Sequence, residues 1–355
     1  MSPLTEIICD EIAQAGVLPF TRFMELALYC PKHGYYETKA DNPGPRGDYY
    51  TSVGVGELFG QLLAWQFAEW LEELRSAGGG VRLVEAGAHD GKLAADILGW
   101  LRLKRPELFE QIEYGIVEPS PVRRQWQERT LRDFSPRVRW FDRLSSLANR
   151  QSAGVIFSNE LLDALPVRRF GWDAAKRTWF EWGVAVEGEK FVWAKIPGPQ
   201  SAFCDPQLEA VLPDGYIVEA CPAAERWWRE AAGLLQRGRL MTIDYGLTAE
   251  ELFSPARCSG TLRTYSRHHV GGDLLANVGE QDITAHVNFS AIRIAGESAG
   301  LKTDSFQTQA QFLTQILAKA GASLGEWTAA RARQLQTLTH PEHLGHAFRV
   351  LVQSG

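Results

Sequence analysis

Few cysteines and no long apolar runs set the first limits on this protein. Among 355 residues there are five cysteines, and no two of them form a CxxC pair. Such an odd, scattered set indicates free thiols in a reducing compartment rather than a disulfide framework. Apolar stretches stay far shorter than the ~20 residues that span a bilayer. The sequence therefore predicts no membrane insertion.

An excess of positive charge is also missing. Lys and Arg total 37 against 43 Asp and Glu, which gives a formal net charge of −6. This balance gives no support to a mainly electrostatic nucleic-acid binder. The N-terminal segment MSPLTEIICDEIAQAG contains acids and lacks the basic and apolar regions of a secretory or mitochondrial targeting peptide. The lack of a targeting-peptide pattern favours a bacterial cytoplasm over a mitochondrial matrix.

Signatures of several other enzyme classes are absent from the sequence. It contains no GxSxG nucleophile elbow and no P-loop ending in GKS or GKT. His340, His343 and His346 are spaced three apart, but Pro341 and Gly345 interrupt any helix that would present them together. We therefore predict that these histidines lie on the surface and that the protein has no metal site.

The pattern of apolar residues predicts the fold. From Val81 onward, short apolar runs such as VRLVEAG and IEYGIVEPS alternate with helical patterns such as KLAADILGWLRL, which indicates βαβ units and a parallel sheet. The segments VRRFGW, RTWFEWGVAVEG and KFVWAKIPG instead indicate antiparallel strands. We predict an α/β protein with three parts: an N-terminal helical and loop cap at 1–78, a core formed by 79–165 and 236–355, and an inserted antiparallel β plus helix subdomain at 166–235.

The segment VRLVEAGAHDGKLAADIL has the form of a nucleotide-binding turn. A strand ends near Glu85, a turn with Gly87 and Gly91 follows, and a helix begins near Lys92. The next strand ends at Glu118, where a carboxylate can accept hydrogen bonds from ribose hydroxyls. The alternative is that these glycines merely pack an ordinary αβ unit.

The chemistry of this turn favours one kind of nucleotide ligand over another. A dinucleotide requires GxGxxG, which this segment lacks, and Asp90 would place a negative charge where a phosphate binds. A cationic, phosphate-free nucleoside such as S-adenosylmethionine (SAM) suits the turn better, because its ammonium and sulfonium groups favour the carboxylates of Glu85 and Asp90.

Further segments resemble one known family. EAGAHDG, VEPS, NELLDALP, DYG and DITAHVNF occur in this order, preceded by GYYE, GDYYTS and LFG. Together they resemble the MidA and mitochondrial complex I assembly-factor methyltransferases. The resemblance implies a class I, Rossmann-like methyltransferase with a mostly parallel seven-stranded sheet and an antiparallel final strand. It also implies SAM as cofactor, S-adenosylhomocysteine as product, and arginine methylation of a protein partner, a respiratory complex I subunit.

The resemblance assigns roles to individual residues. It places Glu85, Gly87 and Gly91 in the SAM loop and makes Glu118 the ribose-binding acid. The motif after the fourth strand supplies Asn159 and Glu160, followed by Asp163; later motifs supply Asp244 and His286. We accordingly expect cofactor binding by a set of seven residues: Glu85, Gly87, Asp90, Gly91, Glu118, Asn159 and Glu160.

Three positions depart from the family pattern. His89 stands where the family usually has a glycine, and Asn288 stands where an aspartate is common. Val53 and Gly54 replace a usual Pro-Glu pair, which removes a plausible site carboxylate. The departures make the substrate less secure than the fold and the cofactor.

The proposed catalytic residues are Glu160, Asp163, Asp244 and His286. A carboxylate can hold a planar guanidinium bidentately, and Glu160 is the first choice for this role. The alternative for Glu160 is a helix cap or a contact to SAM, whereas Asp163 is favoured as the residue that organises the DALP turn. Asp244 can equally form a turn before Gly246. His286 can accept a proton as a neutral imidazole or serve as a buried structural histidine.

Other functions remain open at this point. The protein can methylate a different nucleophile, or it can be a non-catalytic SAM-binding assembly factor or chaperone. A dinucleotide oxidoreductase is a distant further alternative. We expect a protein substrate and no nucleic-acid partner, and the sequence leaves open whether the chain forms a homodimer.

Overall fold

The computed structural model describes residues 2–38, 51–76, 81–150, 152–198, 211–254, 257–266 and 269–355. The chain divides into two units that are each assembled from three segments. The larger unit comprises Ala40–Leu162, Glu225–Gly246 and Ala291–Gly355. The smaller unit comprises Met1–Lys39, Asp163–Ala224 and Leu247–Ser290.

The larger unit is built on a mostly parallel sheet. Seven of the eight strands described in this sheet are β1 (Val81–Ala86), β2 (Glu113–Val117), β3 (Val138–Phe141), β4 (Ser152–Asn159), β5 (Leu235–Leu247), β6 (Lys302–Thr308) and β7 (Phe348–Ser354). They are hydrogen-bonded in the order β6-β7-β5-β4-β1-β2-β3. The pairs from β5 to β3 are parallel, whereas β7 is antiparallel to both of its neighbours. The final strand of the chain is therefore the antiparallel one.

The composition of the central strands explains why they lie in the middle of this sheet. Leu83, Val155, Phe157 and Ile243 are fully buried. Strands covered on both faces become continuous apolar runs, because no face is left for polar side chains. This explains why the sequence shows runs such as VIF and VRLV instead of strict alternation.

Helices cover the sheet and complete its core. Those that lie within the larger unit are Ser52–Val55, Glu57–Ser76, Lys92–Lys104, Pro106–Gln111, Pro121–Thr130, Gln309–Ala320 and Ala329–Thr339. The twenty-residue helix Glu57–Ser76 buries an apolar face that includes Leu62 and Phe67. The ring of Phe67 lies 4.7 Å from that of Phe157, which fixes this helix against β4.

The smaller unit combines helices with antiparallel sheets. Its helices are Pro3–Ala15, Phe20–Tyr29, Tyr35–Thr38 and Ala249–Leu252. One sheet has the strand order Leu18–Pro19, Thr178–Glu187, Arg168–Asp173, Ile217–Ala220, and Lys190–Pro197 also pairs with Thr178–Glu187. A second sheet joins Arg263–Ser266 to His269–Val270 and Asp282–Thr284. Trp172 and Trp179 pack together in the core of the first sheet.

Two further elements begin in one unit and end in the other. They are the helices Pro222–Leu234 and Phe289–Ser298.

The structure confirms the predicted fold class and corrects several boundaries. The predicted Rossmann-like sheet is present, with β1 ending one residue beyond Glu85 and β2 one residue before Glu118. Two further elements were not predicted from the sequence, the strand Ile217–Ala220 and the helix Ala329–Thr339. Within the described part of the chain, no helix is both long and apolar enough to cross a membrane.

Candidate active site

Four neighbouring parallel strands end at one edge of the sheet in the larger unit. In the register, Ala86 of β1 lies beside Val117 of β2 and Ser158 of β4. Asn159 lies beside Ile243 of β5. Predicted site residues stand next to these positions along the chain: Glu85, Gly87, Glu118, Glu160 and Asp244. Since open α/β sheets bind ligands at the carboxyl ends of their strands, this edge is the candidate site.

The turn after β1 has the backbone geometry of a glycine loop. Gly87 and Gly91 have φ angles of +74° and +86°, in the left-handed region that favours glycine. A Cβ on Gly87 would lie 2.8 Å from Cδ1 of Leu161, so a larger residue would have to displace that side chain. His89 also has a left-handed φ of +46°, which explains why a glycine suits this position in the family.

Glu85 is a buried carboxyl group with one strong hydrogen-bond donor. It is only 2% exposed, and the hydroxyl of Tyr114 donates a 2.6 Å hydrogen bond to its Oε2. Burial raises the pKa of Glu85 to about 7, against the hydrogen bond from Tyr114, which lowers it. The charge of Asp90 raises the pKa slightly further. A carboxyl group in this state gains most from a positively charged partner.

Asp90 lies just before the next helix, and its carboxyl group is ionised more easily than that of Glu85. Burial would raise its pKa, but hydrogen bonds from His89 and from the backbone N–H of Lys92 outweigh it and lower the pKa. The Lys92 N–H donates to Oδ1 of Asp90 over 3.0 Å. The loop therefore presents an anionic side chain, which is unfavourable for a phosphate and favourable for a cationic ligand.

Glu118 is fully buried, and three donors hold its carboxylate. Oε1 accepts from the Ser120 N–H over 2.9 Å and lies 3.0 Å from Nη2 of Arg123. Oε2 accepts from Nε2 of Gln127 over 3.2 Å. The predicted ribose-binding acid is therefore oriented before any ligand binds.

Asn159 and Glu160 form the polar end of β4. Glu160 has a left-handed φ of +52°, a conformation that non-glycine residues adopt mainly at functional sites or where surrounding contacts hold it. Its Oε1 accepts from the Ser52 N–H over 3.1 Å and from Nδ2 of Asn159 over 3.2 Å. Its own N–H donates to the carbonyl of Ile243 over 2.9 Å. The Ser52 N–H and the Asn159 amide therefore hold the side chain, and β5 holds the backbone of this residue.

Asp244 is fully buried and organises the backbone at the end of β5. Its Oδ2 accepts from the N–H groups of Leu161 and Leu162 over 3.1 and 2.8 Å. Its Oδ1 accepts from the Tyr245 N–H over 2.8 Å. These three contacts match the turn-forming alternative for Asp244 and hold the segment that carries Glu160.

Asp163 and His286 belong to the smaller unit. The carbonyl of Asp163 accepts from the Ala285 N–H over 2.9 Å, which ties the DALP turn to the segment that contains His286. The His286 N–H donates to Oγ1 of Thr261 over 3.1 Å. Burial, together with the positive charges of Arg257 and Arg263, lowers the pKa of His286 to about 4, so its imidazole is neutral at pH 7.

The residues at the sheet edge fit a SAM-like ligand. Oδ1 of Asn159 and Nε2 of His89 are buried polar atoms with no hydrogen-bond partner among the described residues. Such atoms are rare unless a ligand or water satisfies them. Together with the buried Glu85 and the oriented Glu118, they supply what an ammonium group, a ribose and an adenine nitrogen require. Among the described residues, no cluster of His, Cys, Asp and Glu could hold a metal ion.

Sequence reasoning missed several residues that support this edge. Tyr114 and Gln127 contact the predicted acids but lie in no recognised motif, and Ser52, the last residue of GDYYTS, contacts Glu160 although no role was predicted for it. Tyr114 is a polar residue inside an apolar strand, which is the only signal that pointed to it. Most of the GDYYTS segment lies outside the described residues.

The sheet order, the glycine turn after β1 and the acid after β2 define the Rossmann-like class of SAM-dependent methyltransferases. Residues 62–307 match the family described as "Putative S-adenosyl-L-methionine-dependent methyltransferase". The chain belongs to this family, because the match covers more than half of its residues, and it is a SAM-dependent methyltransferase.

Curated relatives of this chain are arginine methyltransferases. The protein arginine methyltransferase NDUFAF7, mitochondrial, of Danio rerio is 26% identical in an alignment of 319 positions that covers 82% of this chain and 71% of that protein. The Drosophila melanogaster homologue is 25% identical in an alignment of 391 positions that covers 96% of this chain and 82% of that protein.

A solved structure is similar over nearly the whole chain. A protein from Burkholderia thailandensis, crystallised with S-adenosyl-homocysteine, superposes with a TM-score of 0.86. It is 36% identical, and the match covers 99% of this chain and 92% of the other. A second structure of a Burkholderia thailandensis protein has a TM-score of 0.82 and 34% identity, with 99% and 91% covered.

Proposed function

We propose that this methyltransferase modifies an arginine nitrogen of a protein partner. The observation that carries the proposal is the polar end of β4. There the Ser52 N–H and the Asn159 amide hold the Glu160 carboxylate, which offers two acceptor oxygens. A guanidinium group carries several N–H donors in one plane and matches such a set of acceptors. The names of the curated relatives support the same substrate class.

Four acids of the chain would have separate roles in cofactor binding and methyl transfer. Glu85 and Asp90 would pair with the positive charges of SAM, and Glu118 would hold its ribose. Bound SAM supplies an electrophilic methyl group, whose displacement leaves S-adenosylhomocysteine. Glu160 would hold the guanidinium so that one nitrogen faces that methyl group, a positional effect that accounts for much of the rate in such transfers.

His286 is the second residue in the proposal. Its neutral imidazole is in the correct state to accept a proton, but a pKa of about 4 makes it a weak base. We therefore place the main catalytic role on Glu160. Asp163 and Asp244 act, in this proposal, through the backbone segments that they hold.

The partner and location are proposed from similarity. By the family resemblance the partner is a respiratory complex I subunit. A bacterial cytoplasm is supported by the Burkholderia thailandensis structure, which at 36% identity is nearer in sequence than the mitochondrial relatives at about 26%.

The experiment follows the transfer of a labelled methyl group from SAM to protein. The purified protein is incubated with methyl-labelled SAM and an extract of cells that lack it, and the labelled proteins are hydrolysed for amino-acid analysis. We expect label in methylarginines. Glu160→Gln should reduce transfer by at least about a hundredfold while leaving S-adenosylhomocysteine binding within a few-fold of the wild type.

A matched control uses another acid outside the site. Glu128 is exposed on the helix Pro121–Thr130, so Glu128→Gln should leave both transfer and binding unchanged. Label in another amino acid would overturn the arginine assignment and favour a different nucleophile. Binding without transfer to any protein would favour the non-catalytic assembly factor.

A further inference from the structure

Gln127 is a buried amide at the centre of the cofactor edge. It lies on the helix Pro121–Thr130 and is fully buried. Its Nε2 donates to the carbonyl of His89 over 3.0 Å and to Oε2 of Glu118 over 3.2 Å. Its Oε1 accepts from Nε1 of Trp140 over 2.9 Å. This one side chain therefore contacts three places: the glycine loop, the acid Glu118 that follows β2, and Trp140 of strand β3.

The three contacts fix the orientation of this amide. The NH₂ group has two hydrogens, and both are used on oxygen acceptors. With the amide reversed, its oxygen would face the carbonyl of His89 and the carboxylate of Glu118, and its NH₂ would face the indole N–H of Trp140. Each of these pairs is repulsive, so only the observed orientation is compatible with the surroundings.

The glycine loop needs support of this kind. His89 adopts a left-handed φ of +46°, which a non-glycine residue keeps only when its surroundings hold it. The Gln127 amide binds the carbonyl of that residue. The Pro121–Thr130 helix also packs closely on the loop, because a Cβ on Gly91 would lie 3.3 Å from Cα of Gln127.

We propose that Gln127 is a positioning residue that couples the glycine loop to the ribose-binding carboxylate. It orients Glu118 for the ribose diol and holds the His89 turn in its binding conformation through the same amide group. The proposal rests on the ribose-binding role proposed for Glu118. It adds a residue that no motif of the sequence analysis includes.

A glutamine is required by this role on chemical grounds. Methionine at position 127 would have a similar length but would give neither donor nor acceptor. A glutamate would bring a second carboxylate against Glu118, with repulsion between like charges. Only an amide donates to the two oxygens and accepts from Trp140 at once.

The test compares two ligands that differ in one hydroxyl group. Calorimetric titration measures the dissociation constants of S-adenosylhomocysteine and its 2′-deoxy analogue with wild type, Gln127→Met and Glu118→Gln. Gln127→Met should weaken binding of the analogue through the altered loop alone, and should weaken binding of S-adenosylhomocysteine by about a further threefold or more. The ratio of the two constants is the decisive quantity, because a general loss of structure would weaken both ligands equally.

The control and the fallback variant come from the same neighbourhood. Gln125→Met, at an exposed position two residues earlier, should leave both constants unchanged. If Gln127→Met does not fold, Trp140→Phe removes the indole N–H that donates to Oε1 of Gln127 and should change the ratio in the same direction by a smaller factor.

The outcomes separate this proposal from the one on which it rests. Equal weakening of both ligands by Gln127→Met, or no weakening, overturns the positioning role while Glu118→Gln still lowers the ratio. If Glu118→Gln also leaves the ratio unchanged, the ribose-binding role of Glu118 fails, and this proposal fails with it.

Discussion

At the scale of single residues, Glu85 combines burial with a ligand-binding role. Its pKa is raised to about 7, so a large share of the carboxyl groups is protonated below neutral pH. A protonated carboxyl cannot pair with the ammonium group of the cofactor. We therefore expect the affinity for S-adenosylhomocysteine to fall as the pH decreases from 8 to 6, measured by calorimetric titration.

Substitution of the residue that donates a hydrogen bond to Glu85 should shift the midpoint of this pH dependence of affinity. Tyr114→Phe removes the hydroxyl that lowers the pKa of Glu85, so the midpoint should move to higher pH. Tyr216→Phe removes a comparable buried hydroxyl, whose partner is the Ser254 carbonyl in the smaller unit, and should leave the midpoint in place. Affinity that is constant over this pH range would show that Glu85 does not titrate or does not contact the ligand.

Asp244 and Glu160 illustrate what the sequence could and could not predict at this scale. Glu160 directly follows β4 and Asp244 lies near the end of β5, and the strand pattern was sufficient to place both at the sheet edge. Their different environments depend on which backbone N–H groups point toward each carboxylate. Asp244 accepts from three such groups, and this arrangement arises only when the turn after β4 closes against β5.

These environments predict unequal effects of two amide substitutions on stability. Asp244→Asn should lower the free energy of unfolding by about 1–3 kcal/mol, because one of its acceptors becomes a donor that faces a backbone N–H. Glu160→Gln keeps an oxygen for its two donors and should change stability much less. Urea unfolding measures both, with Asp142→Asn on a side chain that is 73% exposed as the control. Similar losses for Asp244→Asn and Glu160→Gln would contradict this distinction.

At the scale of elements, the turn after β1 depends on Gly87 for two separate reasons. Its φ of +74° is unfavourable for other residues, and a Cβ would meet Leu161 at 2.8 Å. Gly188 shares the first property, with a φ of +61°, but a Cβ there would meet nothing within 4 Å. A comparison of Gly87→Ala with Gly188→Ala therefore isolates the contact from the backbone conformation.

The expected difference between the two substitutions is measurable. Gly188→Ala should lower the free energy of unfolding by about 1–2 kcal/mol through the left-handed conformation alone. Gly87→Ala should lower it by at least about 1 kcal/mol more and should also weaken S-adenosylhomocysteine binding, because the loop must move with Leu161. Urea unfolding and calorimetric titration measure the two effects. Equal losses and unchanged binding would mean that Leu161 moves aside freely.

Most elements were predictable because their apolar periodicity is strong and local. The strands of the core and the helix Glu57–Ser76 belong to this group. The helix Ala329–Thr339 was missed because its sequence, AARARQLQTLT, has few apolar residues, and its start depends on the Thr328 side chain, which accepts from the Arg331 N–H. The strand Ile217–Ala220 has only four residues and exists because it pairs with Arg168–Asp173, some fifty residues earlier in the chain.

At the scale of the whole molecule, two buried groups give opposite contributions to the pH dependence of stability. Glu85 has a pKa of about 7 in the folded protein, above its ordinary 4.5, so the folded state binds more protons and its contribution falls as the pH rises from 4.5 to 7. His286 has a pKa of about 4, below its ordinary 6.5. The unfolded state therefore binds more protons at this residue, and its contribution rises as the pH increases from 4 to 6.5.

Because the two groups lie in different units, substitution should separate their contributions. Relative to the wild type, Glu85→Gln should make stability rise more steeply with pH between 4.5 and 7, and His286→Gln should make it fall more steeply between 4 and 6.5. Each difference has an upper limit of about 1.4 kcal/mol per pH unit, the value for one proton. Urea unfolding at intervals of half a pH unit measures the slopes. If the units unfold in separate transitions, the effect of each substitution should appear in the transition of its own unit. A change of slope in the opposite direction for either variant would show that the substituted group does not have the shifted pKa that its burial indicates.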